Sequence, residues 1–158
     1  MSRAEIIADR LREVFLNGRW IANTNYKEQL SMVSWQQAIQ KVSTLNTIAA
    51  LTFHVNYYLA GVLKVLNGGA LDIKDKYSFD LPEIKTEQDW LRLVNEFLIN
   101  AEHFSDRVAQ LSDETLALVF VEEKYKTWLR NVEAMIEHSY YHLGQITLIR
   151  KMIVEGVE

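Results

Sequence analysis

Four histidines are the residues of this chain best suited to chemistry, and their surroundings are not equivalent. His138 and His142 stand four apart in a segment whose apolar residues recur every three or four positions. Their rings therefore sit on successive turns of one helix, with Cβ atoms about 5–6 Å apart, and both can reach a single divalent cation at about 2.0–2.1 Å. His142 falls in the apolar stripe itself, one heptad after Met135 and one before Ile149, where a buried imidazole needs a partner. Two histidines so spaced on an amphipathic helix are more often ordinary polar or core residues than ligands, so a cation site needs a third donor. His54 is the candidate, between Phe53 and Val55 in the most apolar stretch of the chain. Alone it reads as a hydrogen-bonded core residue. With the pair it completes a set of three imidazoles that leaves one or more coordination positions open. His103 has Glu96, Asn100, Arg107 and Gln110 as its helical neighbours and is assigned to solvent.

A three-histidine divalent site lowers the pKa of a bound water or thiol and yields a nucleophile near neutral pH. The chain has no cysteine, so thiolate ligands and thiol nucleophiles of its own are excluded and any thiol comes from outside. Tyr57, Tyr58 and Tyr141 lie near the histidines in sequence and could orient a substrate, although amphipathic packing is the commoner use of tyrosine. Gln145, one turn past His142 and on the line of His138, could hold a ring N–H or be a surface amide. Glu137 points about 100° away from its neighbour His138, toward solvent or an ion pair rather than general-base work. Gly68-Gly69 lacks the Lys-Ser/Thr of a phosphate cradle.

The elements that must position these residues read as helices throughout. The first runs from about Arg3 to Asn17, with Gly18 placed to close it in the left-handed conformation. From Arg19 to Val33, Trp20, Tyr26 and Leu30 stand among polar residues, a connector with at most one turn that packs on the core. Ser34 with Gln37 forms a capping box that predicts one long central helix to Leu66, ended by Asn67-Gly68-Gly69. The connection from Asn67 to Lys85 is long enough to run back along a whole helix, which allows a crossover. Thr86 caps a third helix bearing Trp90, Val94, Phe97, Ala101, Phe104, Val108 and Leu111. An irregular stretch from Ser112 to Lys124 precedes a fourth helix from about Tyr125 to Val154. The pattern predicts an all-α chain, a four-helix bundle with long connecting loops, forming one domain over residues 1–158.

Composition bounds the rest. At 158 residues, 49% hydrophobic and 24% charged, the chain is long enough to bury a core without a disulfide or structural metal. Its formal charge of −4 lacks the positive field of a nucleic-acid binder. Charged residues interrupt the first helix, unlike a signal peptide, and the apolar stretches fall short of the roughly 20 residues that span a bilayer. A cytoplasmic protein without nucleic-acid or membrane partners is expected.

The run Glu137-His138-Ser139-Tyr140-Tyr141-His142-Leu143-Gly144-Gln145-Ile146, together with His54 on an earlier helix, resembles the DinB/YfiT-like superfamily of metal-dependent four-helix bundles. Gly18-Arg19-Trp20 and Leu30 to Ala38 extend the resemblance over most of the chain. It implies a divalent metal, zinc or nickel, on His54, His138 and His142, with Trp20 and Asn23 closing one end of the cavity. It also implies that a low-molecular-weight thiol serves as cosubstrate in a transferase or detoxification reaction on a small electrophile, and that the chain is a homodimer, which exposed Leu and Val on the helix faces would suit. Catalytic side chains are not fixed by it; Tyr58, Tyr141 and Gln145 are the candidates. Two other readings stand beside this one, a hydrolase using bound water and a non-catalytic small-molecule-binding or stress-response protein.

Overall fold

A computed structural model describes all 158 residues, and the chain is all-α: seven helices, with one isolated bridge between Val119 and Thr127 as its sole extended pairing. Helix α1, Arg3–Arg12, opens in a capping box between Ser2 and Glu5 and buries Ala4, Ile7, Ala8 and Leu11. A single π turn, Glu13–Asn17, continues it and buries Val14 and Phe15. Gly18 does not take the left-handed conformation expected of it. Its backbone is extended (φ −100°), and glycine is required because the chain doubles back so tightly that a Cβ would lie 2.2 Å from Glu13 Cγ.

The Arg19–Val33 connector holds a short helix, α2 (Tyr26–Ser31), capped by the Asn25 side chain. Tyr26 and Leu30 pack into the core as expected, but Trp20 does not: it is 89% exposed. Tyr26 instead anchors the connector, in an aromatic cluster with Phe15 (5.6 Å between centroids) and Phe97 (5.0 Å).

The long central helix is a correction. The Ser34–Gln37 capping box forms, but the helix it opens, α3, covers only Trp35–Ile39. The chain turns extended at Gln40 and left-handed at Ser43, and Thr47 caps a new helix, α4 (Ile48–Leu66). The break falls where Ser43, Thr44, Asn46 and Thr47 crowd together, short side chains that compete with helical hydrogen bonding. Helix α4 ends as expected: Gly68 is left-handed (φ 89°), and the N–H groups of Gly68 and Gly69 donate to Val65 and Lys64.

Helix α5, Glu87–Ala109, follows the expected apolar stripe, opened by Thr86 and Asp89. The stretch after it contains a further short helix, α6 (Asp113–Ala117), capped by Ser112. Helix α7 runs from Trp128, not Tyr125, to Val154. Glu123–Tyr125 forms a 3-10 turn, Lys126 is left-handed (φ 66°), and the Thr127 side chain supplies the cap.

Cross-helix pairs fix the directions of the four long helices. Asn56 meets Asn100 and the Leu66 carbonyl meets Arg107, so α4 and α5 are parallel, joined by the long crossover between them. Arg12 meets Asp106 while Phe15 meets Phe97, so α1 opposes α5. His54 and Tyr58 of α4 face His142 and His138 of α7, so these two are also antiparallel. The chain thus runs up, down, down, up around one continuous cluster of buried apolar side chains. Helix α4 lies in that cluster. Against expectation its 19 residues are long and apolar enough to cross a membrane, but most of the helix is buried inside the protein.

Candidate metal centre

The structure brings His54, His138 and His142 together, one ring nitrogen from each lying within 4.8 Å of the others. His54 reaches inward from α4, and the other two come from successive turns of α7. The His138 Nε2 atom lies 3.2 Å from His54 Nε2 and 3.0 Å from His142 Nε2. Nitrogens bound to one tetrahedral cation at about 2.0–2.1 Å lie about 3.3 Å apart, so the spacing suits a shared ion.

The hydrogen bonds on the far side of two rings say which nitrogens carry lone pairs. His54 Nδ1 faces the Ser78 carbonyl oxygen at 3.3 Å, and His142 Nδ1 faces Gln145 Oε1 at 2.7 Å. Both oxygens only accept, so both Nδ1 atoms carry the proton and both Nε2 atoms present lone pairs. A single N–H on His138 Nε2 cannot satisfy two neighbours at once. Opposed lone pairs are what a cation relieves, and far-side hydrogen bonds of this kind orient histidine ligands.

The electrostatics point the same way. Burial lowers the pKa of all three rings. His138 is pushed down to about 4, by burial first and then by His142 and His54. For His54, the Ser78 carbonyl and Asp75 partly oppose the shift, and for His142 the Gln145 oxygen does. The three imidazoles are therefore neutral at pH 7, the form that binds metal.

Asp75, Ser78 and Phe79 of the centre come from the long connector and were not legible as site residues. As it runs back along α4, Ile73 packs over Gly61, Lys74 exchanges main-chain hydrogen bonds with the Tyr57 hydroxyl, and Asp75 accepts one from Tyr58 at 2.8 Å. Ser78 then holds His54, and Phe79 stacks on the same ring at 4.0 Å. The one available signal was a connector longer than its span requires, with aromatic residues in a polar sequence.

Of the other candidates, Tyr58 lies edge-on to both His54 and His138, at 5.2 and 5.5 Å. Its hydroxyl pKa is raised by burial and by Asp75. Tyr141 flanks His142 at 4.9 Å but is 65% exposed. Gln145 is a partner of a ring N–H, on His142 rather than on the His138 line. Glu137 pairs with Arg130 at 3.0 Å, and His103 is exposed, both as expected. Trp20 and Asn23 are exposed and line no part of the cleft beside the centre, so the cavity closure expected of them is corrected; the turn they occupy closes on itself through Asn23 N–H to the Arg19 carbonyl.

A cleft of about 380 Å³ opens beside the histidines, between α4 and α7. His54 and His138 form its floor, with Tyr58, Val62, Asn131, Ala134 and Met135 as walls. Comparison of the chain with protein families, with curated proteins and with solved structures gives no match.

Proposed function

We propose that this chain is a metal-dependent enzyme with the four-helix-bundle architecture of the DinB/YfiT-like superfamily. In this reading His54, His138 and His142 hold one divalent cation, zinc or nickel, and a low-molecular-weight thiol attacks a small electrophile in the adjoining cleft. The observation that carries it is the convergence of three neutral imidazoles, two with their outer nitrogens tied to oxygen acceptors, at the edge of a cleft large enough for a small molecule. The up-down-down-up course of the long helices, with donors drawn from two facing rods, suits a bundle-core metal site.

A bound divalent cation supplies a Lewis acid that makes a nucleophile available near neutral pH. The chain's own residues do the rest. Ser78 and Gln145 keep the donor nitrogens of His54 and His142 turned inward. Phe79 covers one face of His54 and excludes water from it. Tyr58, fixed by Asp75, forms the wall against which a substrate is positioned. The absence of any cysteine leaves the thiol to a cosubstrate.

Two measurements test the reading. Metal analysis of protein purified without a histidine tag is expected to give about one zinc or nickel per chain, lost in His142→Ala. Turnover of a halonitroarene with a panel of cellular thiols is expected in the loaded protein and absent in the histidine variants. Metal binding with hydrolysis of an ester and no thiol dependence would replace the transferase by a hydrolase, and metal binding without any turnover would leave a binding protein.

A further inference from the structure

The cleft beside the three histidines carries a chemical preference of its own. Its walls contain no Lys, Arg, Asp or Glu. Val62, Ala134 and Met135 give it an apolar surface, and the ring of Tyr58 adds an aromatic one. The polar atoms in the walls are spent as donors. Both amide hydrogens of Asn131 go to main-chain oxygens, of Tyr125 at 2.6 Å and Thr127 at 2.8 Å, which leaves only its Oδ1. The Tyr58 hydroxyl proton goes to Asp75. What remains on the walls is a set of acceptors, and the one open donor is on the floor, the Nδ1–H of His138 when its Nε2 faces the other two rings as a lone pair.

Two cations on the same helices are already paired. Arg130, beside Asn131 on α7, is engaged by Glu137 at 3.0 Å, and Lys64 on α4 is engaged by Asp72 at 2.6 Å. Asp75, behind Tyr58, is negative. An anion entering the cleft would lose its hydration shell and find neither a cationic side chain nor a free donor in the walls, so that only a metal on the histidine floor would offset a cost that a neutral body does not meet. In size, an enclosed apolar cavity of about 150 Å³ holds benzene, so 380 Å³ in an open cleft accommodates a body of about one to two rings.

We propose that the cleft between α4 and α7 binds a neutral, apolar body of arene size, bearing at most a hydroxyl or N–H donor directed at Asn131 Oδ1, and that its walls disfavour substrates carrying carboxylate, phosphate or sulfonate groups against them. This rests on the reading of the histidine centre as the reactive site and specifies the electrophile as neutral and hydrophobic. Ala134 on α7 and Val62 on α4 are two wall positions of the cleft where bulk or charge can be introduced.

The test compares naphthalene-2,6-dimethanol with naphthalene-2,6-disulfonate, which carries an anion at either end and so brings one into the cleft whichever end enters. Binding is measured by calorimetry and by amide chemical shifts, in the zinc-loaded protein and after chelation, at about 0.15 M salt. After chelation the alcohol is expected to bind at least about tenfold more tightly than the disulfonate, and bound zinc is expected to narrow the difference by attracting the sulfonate. Ala134→Leu, at a partly exposed position that tolerates added bulk, is expected to weaken alcohol binding by at least about tenfold with zinc content unchanged. Val62→Lys, also partly exposed, is expected to fold and to reverse the order of the two compounds. Equal affinities in the chelated protein, or alcohol binding untouched by Ala134→Leu, would overturn the proposal. Failure of the histidine reading looks different: no zinc is retained, while the alcohol still binds and still shifts Ala134 and Met135.

Discussion

The Tyr26 hydroxyl donates a hydrogen bond of 2.7 Å to the main-chain carbonyl of Ser139, the residue that follows one histidine of the centre and precedes the other by three. Tyr26 is fully buried, and burial raises its pKa well above the ordinary tyrosine value, so the proton stays in that bond. The contact pins the backbone of α7 between His138 and His142 to the connector that follows α1. Tyr26→Phe keeps the aromatic packing on Phe15 and Phe97 and removes only the hydroxyl. It is expected to lower stability by about 0.5–1.5 kcal/mol in urea unfolding. Zinc affinity, measured by chelator competition, is expected to fall several-fold because the segment carrying two donors is released.

The amide of Gln145 fixes the donor tautomer of His142. Gln145→Leu leaves that ring N–H without an acceptor and frees the ring to turn, with an expected loss of about 10–100-fold in zinc affinity. Gln145→Glu restores an acceptor and is expected to recover most of it. Loss in both variants, with folding intact by circular dichroism, would show that the bond to His142 does not set the affinity.

The heptad position of His142 and the four-residue step back to His138 made two of the three rings legible, because a helix converts spacing directly into direction. His54 was legible only in company, since an apolar helix buries histidines for several reasons. The connections were harder. The Ser34 box marked a true helix start, but the break at Gln40 depended on local competition by Ser43, Thr44 and Asn46, which a periodicity argument averages away. Trp20 shows the limit from the other side. Its type argued for burial, and the tight turn imposed by Gly18 on Glu13 points it to water instead. Ser78 acts through its carbonyl oxygen, which every residue possesses, so no residue type could have announced it.

Gly61 lies inside α4, where replacement by alanine would ordinarily add about 0.8–1.0 kcal/mol of helix propensity. Here a Cβ would stand 2.5 Å from Ile73 Cγ2, so the gain is opposed by displacement of the connector that carries Asp75, Ser78 and Phe79. Gly61→Ala is expected to give no net stabilisation and to speed amide exchange over residues 72–79, with the bond from His54 to Ser78 weakened. A more stable protein with unchanged exchange there would show that Ile73 moves aside freely and that the connector is held by its other contacts.

Acid should destabilise the metal-free protein before it titrates the carboxylates. In the unfolded chain a histidine takes up its proton near its ordinary pKa of 6.5, whereas in the folded protein burial and the two facing rings hold His138 down to about 4. His54 and His142 are shifted in the same direction. Between those two values the unfolded chain binds more protons than the folded one, so stability is intact above the unfolded pKa and is lost as pH falls toward the folded one. Part of the His138 ring remains solvated, which reduces the effect to about 1–2 kcal/mol. Urea midpoints of chelator-treated protein are therefore expected to be lower at about pH 5 than at about pH 7.5, and His138→Gln is expected to flatten the dependence. Bound zinc raises the midpoint at the higher pH, where all three imidazoles are free to bind, and its contribution disappears toward pH 5 as protons compete for the same nitrogens. A midpoint that stayed level across this range in the chelated protein would mean that the three rings are already accessible to protons, and the neutral, inward-facing cluster on which the metal reading depends would be lost.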